Sequence, residues 1–273
     1  MSFSQRDQRV LSSLRRAKDS HPDLAQLLCF YETLFQVQFA FKAQLKSRSG
    51  MAGLKRRDVN PGWVAEGTPQ LTFDDLSPGG APYQQLFMNI LELLVSYMGS
   101  PRPLAAELES VDVLAYARDI FLARAPLVAP GRPDLIRTAA GLSMAPYLQG
   151  ASEILMPRLL QDRWGRGFCP MCGGHPCFAA LNTESGARIL LCPRCNGEWS
   201  YKRVGCPFCE GCESQTYHPS EDGRYRLYLC DSCRRYLKTV DLEKAGSDIC
   251  LPVECLLTVS MDLAAQEKGY RPS

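Results

Sequence analysis

Residues 169–195 read CPMCGGHPCFAALNTESGARILLCPRC, and residues 206–233 read CPFCEGCESQTYHPSEDGRYRLYLCDSC. Each segment begins and ends with a Cys-x-x-Cys pair, and the two pairs are separated by 19 residues in the first segment and by 20 in the second. Both separations are typical of sites in which two cysteine pairs hold one metal ion. The sequence therefore predicts eight metal ligands in two sets: Cys169, Cys172, Cys192 and Cys195, and Cys206, Cys209, Cys230 and Cys233.

The two segments are copies of one small unit. The first pair recurs after 37 residues and the second pair after 38, and the stretches that lead into the second pairs, 186–191 and 223–229, are also alike. Two copies of a metal-stapled module explain this repeat better than eight unrelated thiols do. We therefore predict one module over 164–204 and another over 205–247. The alternative, in which the second and third cysteine pairs share an ion, ignores the repeat.

The spacing within each pair has a geometric reason. A Cys-x-x-Cys turn directs two sulfur atoms toward one ion, and two such turns complete a tetrahedron with metal–sulfur distances of about 2.3 Å. The residue after the second cysteine often needs a positive φ, which few side chains adopt at low cost. Gly173 and Asn196 suit this position, whereas Glu210 and Arg234 do not. With the four turns numbered in chain order, the fourth, formed by Cys230 and Cys233, is therefore predicted to be the most strained or the least regular.

Four thiolates accept either iron or zinc, so the sequence predicts two ions per chain without choosing between the metals. Each module is too small to bury a self-sufficient core, and metal binding is expected to contribute on the order of 10 kcal/mol to its folding. Disulfide bonds or free core thiols are the alternative interpretation, which a reducing cytosol disfavours. His175 is a conceivable substitute ligand, although four sulfur atoms already suffice.

Five further cysteines fall outside the two sets. Cys29 lies in an apolar helical segment and is predicted to be a core thiol. Cys177 and Cys212 follow the first pair of each copy, where they could exchange with the ligands, but packed or surface thiols are the simpler interpretation. Cys250 and Cys255 lie at the start of the last helix and could pair under oxidation, although no spacing rule assigns them a role.

The remainder of the chain has helical periodicity. Apolar residues at three- and four-residue spacing predict a helical domain over 1–163, with a loop at about 51–82 and an interruption of its last helix near Pro146. Glycine, proline and cysteine then become frequent, which places the domain boundary near residue 164. A closing helix and tail are predicted over 248–273, with Gly269 at the helix C-terminus.

Composition, charge and missing motifs disfavour several classes of function. The chain of 273 residues has a net charge of only +2, and its segment 164–240, with eight thiolates and two divalent ions included, has a charge of about −1. Nucleic-acid binding is therefore not predicted. Neither an apolar signal segment nor a membrane-spanning segment is recognisable, so a cytoplasmic location is expected. Phosphate-binding loops, catalytic zinc motifs and nucleophile elbows are also missing, so the chain is not predicted to be an enzyme.

Further motifs accompany the cysteine pairs in a fixed order. They are Trp164, Cys169-Pro-Met-Cys-Gly173, Ile189-Leu-Leu-Cys-Pro-Arg-Cys195, Glu198-Trp199, Arg203-Val-Gly-Cys-Pro-Phe-Cys209, Cys230-Asp-Ser-Cys233, Tyr236-Leu-Lys238 and Leu263-Ala-Ala-Gln-Glu-Lys-Gly-Tyr270. This order resembles a known family, that of the formate dehydrogenase accessory protein FdhE. The similarity is specific from about residue 164 to 270, and the N-terminal half shares only its general helical character.

The resemblance implies an α+β fold in which a helical N-terminal domain is followed by two tandem rubredoxin-like (zinc-ribbon-like) modules and a C-terminal helix. It also implies that the eight paired cysteines hold iron or zinc, and that the protein is cytoplasmic. The resemblance further implies that the protein binds the catalytic subunit of formate dehydrogenase, a molybdenum or tungsten enzyme, and assists its maturation or activity. Arg234 departs from the family pattern, in which glycine is common at this position, and Cys177, Cys212, Cys250 and Cys255 are additional to that pattern.

Two functional alternatives accompany this prediction. If the modules bind iron, they could act as redox or electron-transfer units. The additional thiols near them could then react with oxidants. Nucleic-acid binding, which is common among zinc ribbons, is the weaker alternative because of the charge given above. The leading hypothesis is a non-catalytic accessory protein whose metal-stapled modules form a binding surface.

Overall fold

The computed structural model describes residues 3–47, 51–57, 62–99, 108, 111–124, 134–159, 163–182, 186–211, 214–246 and 248–272. The chain forms two compact units, the first made of Met1–Arg57 and Leu71–Ile154 and the second of Asp58–Gln70 and Leu155–Ser273. This division differs from the predicted helical domain over 1–163. The second unit begins earlier than residue 164, and it includes a short segment from the N-terminal half.

Helices build the first unit. They bury apolar side chains at the predicted three- and four-residue spacing, among them Phe87, Ile90, Leu91 and Leu94. In the described residues of the N-terminal half the α-helices are α1 (Gln5–Ser20), α2 (Ala25–Ser47), α3 (Ala52–Arg56), α4 (Trp63–Glu66), α5 (Phe73–Leu76), α6 (Gly80–Met98), α7 (Val113–Leu122) and α8 (Leu135–Leu155). Helix α4 belongs to the second unit. The region around 51–82, predicted to be a loop, therefore contains three short helices.

Helix α8 continues through Pro146, where the sequence predicts an interruption. Proline has no N–H, so the carbonyl of Leu142, four residues earlier, loses its helical hydrogen bond. The side-chain amide of Gln38 on α2 donates to this carbonyl at 2.9 Å. Because a buried side chain replaces the missing donor, the helix is not forced to end at the proline.

The short segment around α4 packs within the second unit. The indole ring of Trp63 stacks on that of Trp164, with centroids 4.7 Å apart and an interplanar angle of 21°. The backbone N–H of Gln70 donates to the carbonyl of Pro170 at 2.9 Å. A segment distant in sequence therefore supports the first Cys-x-x-Cys turn, which periodicity alone did not indicate.

A single six-stranded sheet joins the two modules. Its strands are β1 (Phe178–Leu181), β2 (Arg188–Leu191), β3 (Glu198–Tyr201), β4 (Gln215–Pro219), β5 (Tyr225–Cys230) and β6 (Arg235–Asp241). The spatial order is β3-β2-β1-β6-β5-β4. Neighbours within each module are antiparallel, whereas β1 and β6 are parallel, with Phe178 opposite Lys238. The predicted α+β class with two modules is confirmed, and the modules share one sheet.

The predicted closing helix is divided in two. After the short α9 (Leu242–Ala245), the chain forms α10 (Leu251–Leu257) and α11 (Val259–Glu267), which are separated at Thr258. The ammonium group of Lys238 donates to the carbonyls of Cys255 and Thr258, at 2.8 and 3.4 Å, and so competes for helical acceptors at the break. The helix ends as predicted, because Gly269 follows it with φ 79° and donates to the carbonyl of Gln266.

Candidate metal centres

The eight predicted ligands converge in two groups of four, with the sulfur atoms of each group within 4.8 Å of one another. The first group is Cys169, Cys172, Cys192 and Cys195, and the second is Cys206, Cys209, Cys230 and Cys233. These are the sets that the repeat predicts, and the alternative pairing of the second and third turns is not formed.

The sulfur spacing fits a tetrahedral ion. In the first group, Cys169 Sγ lies 3.5 Å from Cys195 Sγ, and Cys172 Sγ lies 3.5 Å from the corresponding atom of Cys192. The equivalent two distances in the second group are both 3.7 Å. Four sulfurs at about 2.3 Å from a central ion would be separated by roughly 3.8 Å. Either group could therefore hold zinc or iron with little rearrangement.

The four cysteine turns share one backbone geometry. The residue after the second cysteine has a positive φ in each, namely 70° at Gly173, 53° at Asn196, 62° at Glu210 and 55° at Arg234. Its N–H donates to the carbonyl of the first cysteine of its pair, at 2.8–3.0 Å. The need for a left-handed residue is confirmed, but the predicted irregularity of the fourth turn is not seen in its backbone.

The C-terminal segment supports the fourth turn. The guanidinium group of Arg234 lies 4.1 Å from the ring centroid of Tyr270 and donates to the carbonyl of Lys268 at 2.9 Å. The backbone N–H of Arg271 donates to the Arg234 carbonyl at 2.7 Å. These contacts stabilise a non-glycine residue in a conformation that costs about 1–2 kcal/mol.

The two groups are close neighbours within the second unit. A side-chain carbon placed on Gly167 would lie 1.8 Å from the carbonyl oxygen of Pro207, so the third turn packs directly on the backbone that precedes the first. The hydroxyl of Tyr201, at the end of β3, donates to the carbonyl of Cys206 at 3.3 Å. The modules are therefore held together by backbone packing as well as by the sheet.

Burial distinguishes the two groups. All four cysteines of the first are buried, whereas in the second Cys209 is exposed and Cys233 is half-buried. Burial raises the pKa of the thiols of Cys169 and Cys206 above the usual value. A metal ion reverses this effect because it binds the thiolate form. The first group is thus a closed site, and the second is open to solvent at one ligand.

Two buried arginines place positive charge beside the groups. Arg194 donates to the carbonyl of Cys172 at 3.5 Å. Arg188, on β2, donates to the carbonyl of Gly205 at 3.2 Å and lies 4.5 Å from the ring centroid of Tyr228. In the described part of the chain Arg188 forms no ion pair, and burial lowers its pKa. A divalent ion with four thiolates carries a charge of −2, which would balance these cations.

The other thiols take different places. Cys29 is exposed, unlike the predicted core thiol, and Cys250 is buried at the N-terminus of α10. Cys177 and Cys255 meet, with their sulfur atoms 3.6 Å apart, a contact that sequence spacing does not predict. Cys212 lies outside the described residues.

His175 belongs to neither group of four, and its ring contacts that of Phe208, with centroids 5.9 Å apart. Among the helices that the structure describes, none is both long and apolar enough to cross a bilayer.

The fold and these groups define a class of protein, one in which a helical unit accompanies two modules with four clustered cysteines each on a shared sheet. A family model described as "FdhE, central domain" matches residues 168–203. "Protein FdhE homolog" of Aquifex aeolicus is 24% identical to this chain, and the match covers 98% of this chain and 94% of that protein. The Edwardsiella ictaluri protein of the same description is 29% identical, and the match covers 99% of this chain and 86% of that protein. The predicted resemblance to the FdhE family is confirmed, and the similarity to proteins of this description extends over nearly the whole chain.

A solved structure has the same fold. The crystal structure of the FdhE protein from Pseudomonas aeruginosa superimposes with a TM-score of 0.56 at 21% identity, and the match covers 98% of this chain and 92% of that one. The similarity therefore extends through the helical N-terminal half, where the sequence motifs are weak.

Proposed function

We propose that this chain is a non-catalytic accessory protein that binds the catalytic subunit of formate dehydrogenase in the cytoplasm and assists its maturation or activity. In this proposal Cys169, Cys172, Cys192 and Cys195 hold one iron or zinc ion, and Cys206, Cys209, Cys230 and Cys233 hold another. The observation that carries it is the convergence of eight cysteines into two groups of four in a chain that resembles the FdhE family. Four protein ligands leave a tetrahedral ion no open position for a substrate, which favours a structural role.

The ions would act by making a rigid surface. The second unit combines short strands with tight turns. Two ions that each cross-link two of its four cysteine turns would therefore contribute much of its stability. Strand β4 lies at an edge of the sheet with most of its residues exposed, and Tyr217 keeps 53% of its surface accessible. Tyr217 also contacts the ring of Tyr228 and the guanidinium group of Arg226. Aromatic and arginine side chains of this kind are enriched at protein interfaces.

The experiment is a pull-down of the formate dehydrogenase catalytic subunit by the full-length chain. We expect retention of the subunit by the wild type, and loss of retention when Cys192 and Cys195 are both changed to serine. Tyr217→Ala is expected to weaken retention at least tenfold while metal content stays at two ions. The matched control is Leu263→Ala, which removes another exposed apolar side chain of the second unit (59% accessible). Retention by the double serine variant after its strands have unfolded would contradict the proposal.

The asymmetry of the two groups favours a second candidate function, electron transfer by bound iron. Cys209 is exposed, so an ion in the second group would lie close to solvent and to an approaching redox partner. Metal analysis and a visible spectrum of aerobically purified protein test this. An iron-containing, coloured protein that is reversibly bleached by a reductant would support it. A colourless protein that contains only zinc and fully assists formate dehydrogenase would exclude it.

A further inference from the structure

A second kind of thiol site lies beside the two groups. Cys177 precedes β1 and Cys255 lies on α10, 78 residues later in the chain, yet their sulfur atoms are 3.6 Å apart. Neither cysteine belongs to a group of four that could hold an ion. Both residues are half-buried, so they lie near the surface of the second unit and not at the centre of its core.

The surrounding structure holds the two thiols in place. The backbone N–H of Cys177 donates to the carbonyl of Leu191 on the neighbouring strand, at 3.1 Å. The carbonyl of Cys255 accepts from Lys238 Nζ at 2.8 Å, and the same ammonium group contacts the carboxylate of Asp262 at 2.6 Å. Both cysteines also pack against an apolar cluster formed by Phe178, Ala180, Leu191, Val240 and Leu251. Their closeness is thus imposed by the contact between the sheet and α10.

We propose that Cys177 and Cys255 are a redox modification site, at which a peroxide converts the two thiols to a disulfide that links β1 to α10. The sulfur atoms would approach from 3.6 Å to about 2.05 Å. Rotation of two thiol-bearing side chains and a small shift of α10 provide this displacement. The proposal does not depend on the partner or on the identity of the metal.

The chemistry is a two-electron oxidation. The Cys255 thiolate attacks one peroxide oxygen, the O–O bond breaks, and a sulfenic acid forms with release of hydroxide. The sulfur of Cys177 then attacks the sulfenic sulfur, the S–O bond breaks, and a second hydroxide leaves. With the two thiol protons, the products are one disulfide and two water molecules for each hydrogen peroxide. The thiol of Cys177 and the nearby ammonium group of Lys238 lower the pKa of Cys255 to about 7, which supports this assignment of the nucleophile.

The disulfide would have a structural consequence. The loop that it closes, residues 177–255, contains the second, third and fourth cysteine turns. A covalent link between β1 and α10 restricts the unfolded chain, and the restriction grows with the length of the loop. Oxidation would therefore keep the sheet and α10 together when an ion is lost.

The test uses the full-length, metal-loaded chain. It is treated with a small excess of hydrogen peroxide, its free thiols are blocked with N-ethylmaleimide, and its peptides are mapped by mass spectrometry. We expect a linked pair of peptides containing Cys177 and Cys255, two hydrogen atoms lighter than the separate peptides. Cys177→Ser and Cys255→Ser should each abolish it. Cys250→Ser is the matched control, because it changes a different thiol, at the N-terminus of the same helix, and should leave the link intact.

A second readout measures the consequence. After addition of a chelator, hydrogen exchange in α10 should be at least about tenfold slower in the peroxide-treated protein than in the reduced protein. The peptide map of the wild-type protein decides the proposal directly, because this measurement does not require any variant to fold. Recovery of Cys177 and Cys255 as N-ethylmaleimide adducts, while other cysteines have been oxidised, would overturn it. A link between Cys255 and Cys250 instead of Cys177 would overturn it as well.

Discussion

A single buried cation illustrates the electrostatics of the second unit. Arg188 is fully buried on β2, and its guanidinium group meets a backbone carbonyl and an aromatic ring but, in the part of the chain described, no carboxylate. A buried charge without a countercharge is strongly destabilising. The carbonyl that Arg188 contacts belongs to Gly205, which immediately precedes Cys206. A tetrathiolate ion at the second group would supply the missing negative charge.

The first prediction concerns this charge. Arg188→Met should speed release of the ion from the second group to a chelator about tenfold, equivalent to ~1.4 kcal/mol, because the charge that balances the thiolates is lost. Release from the first group should change less. Arg226→Met is the control, since the positive charge of Arg226 is already paired with Asp241 at 2.5 Å. Equal release rates in the two variants would contradict the prediction.

The second prediction concerns backbone strain. Glu210 and Arg234 both have positive φ, but only Arg234 has compensating side-chain contacts with the C-terminal segment. Glu210→Gly should raise the free energy of unfolding by about 1 kcal/mol, because it relieves a left-handed residue. Arg234→Gly should give no gain, because it also removes the contacts with Tyr270 and Lys268. Urea unfolding of the metal-loaded protein measures both, and equal gains would show that the tail contacts contribute nothing.

At the scale of elements, α8 shows how a helix tolerates an internal proline. The proline removes one donor, and the acceptor that it leaves is satisfied by Gln38 on α2. A buried carbonyl without a donor costs about 1–3 kcal/mol, so the interaction between the two helices also supports the helix itself. Gln38, a buried polar residue of α2, thereby has a structural role.

The third prediction follows from this pairing. Gln38→Leu should destabilise the protein by about 2 kcal/mol, because the Leu142 carbonyl is left without a donor. In a Pro146→Ala background, the new N–H of residue 146 can donate to that carbonyl, and Gln38→Leu should cost less than about 1 kcal/mol. A double-mutant cycle followed by circular dichroism measures the coupling. Equal costs in both backgrounds would contradict it.

At the scale of the whole molecule, the two units are stabilised by different means. The first is built of long helices that bury apolar side chains against one another, and Leu14, Phe39 and Phe87 are among the buried residues. The second unites short strands and tight turns, and the eight sulfur atoms of its two groups lie where ions would cross-link them. Metal binding and folding are coupled in such modules.

The fourth prediction is therefore that metal removal affects the units unequally. A chelator under reducing conditions should greatly increase hydrogen exchange in β1–β6, because on the order of 10 kcal/mol of metal-dependent stability is lost per site. Exchange in α1, α2 and α6 should stay nearly unchanged, which provides an internal control. Strands that remain protected after complete removal of the ions would show that the sheet does not depend on them.

Much of this molecule could be predicted from local sequence. The spacing and repeat of the cysteines identified both groups of four with their correct partners, because a Cys-x-x-Cys turn is a local structure that directs its own sulfur atoms. Helical periodicity likewise identified α2 and α6, since each buries one face. The glycine at the end of α11 was predictable because few other residues adopt its φ of 79°.

Other features required the tertiary structure, because they depend on contacts between residues distant in the chain. The pairing of β1 with β6, the stacking of Trp63 on Trp164, and the meeting of Cys177 with Cys255 have no local signal. The continuity of α8 through its proline depended on a donor more than a hundred residues away. The sequence by itself determined where the sulfur atoms gather, since turns encode that locally; only long-range packing decided how the two modules join and which additional thiols come together.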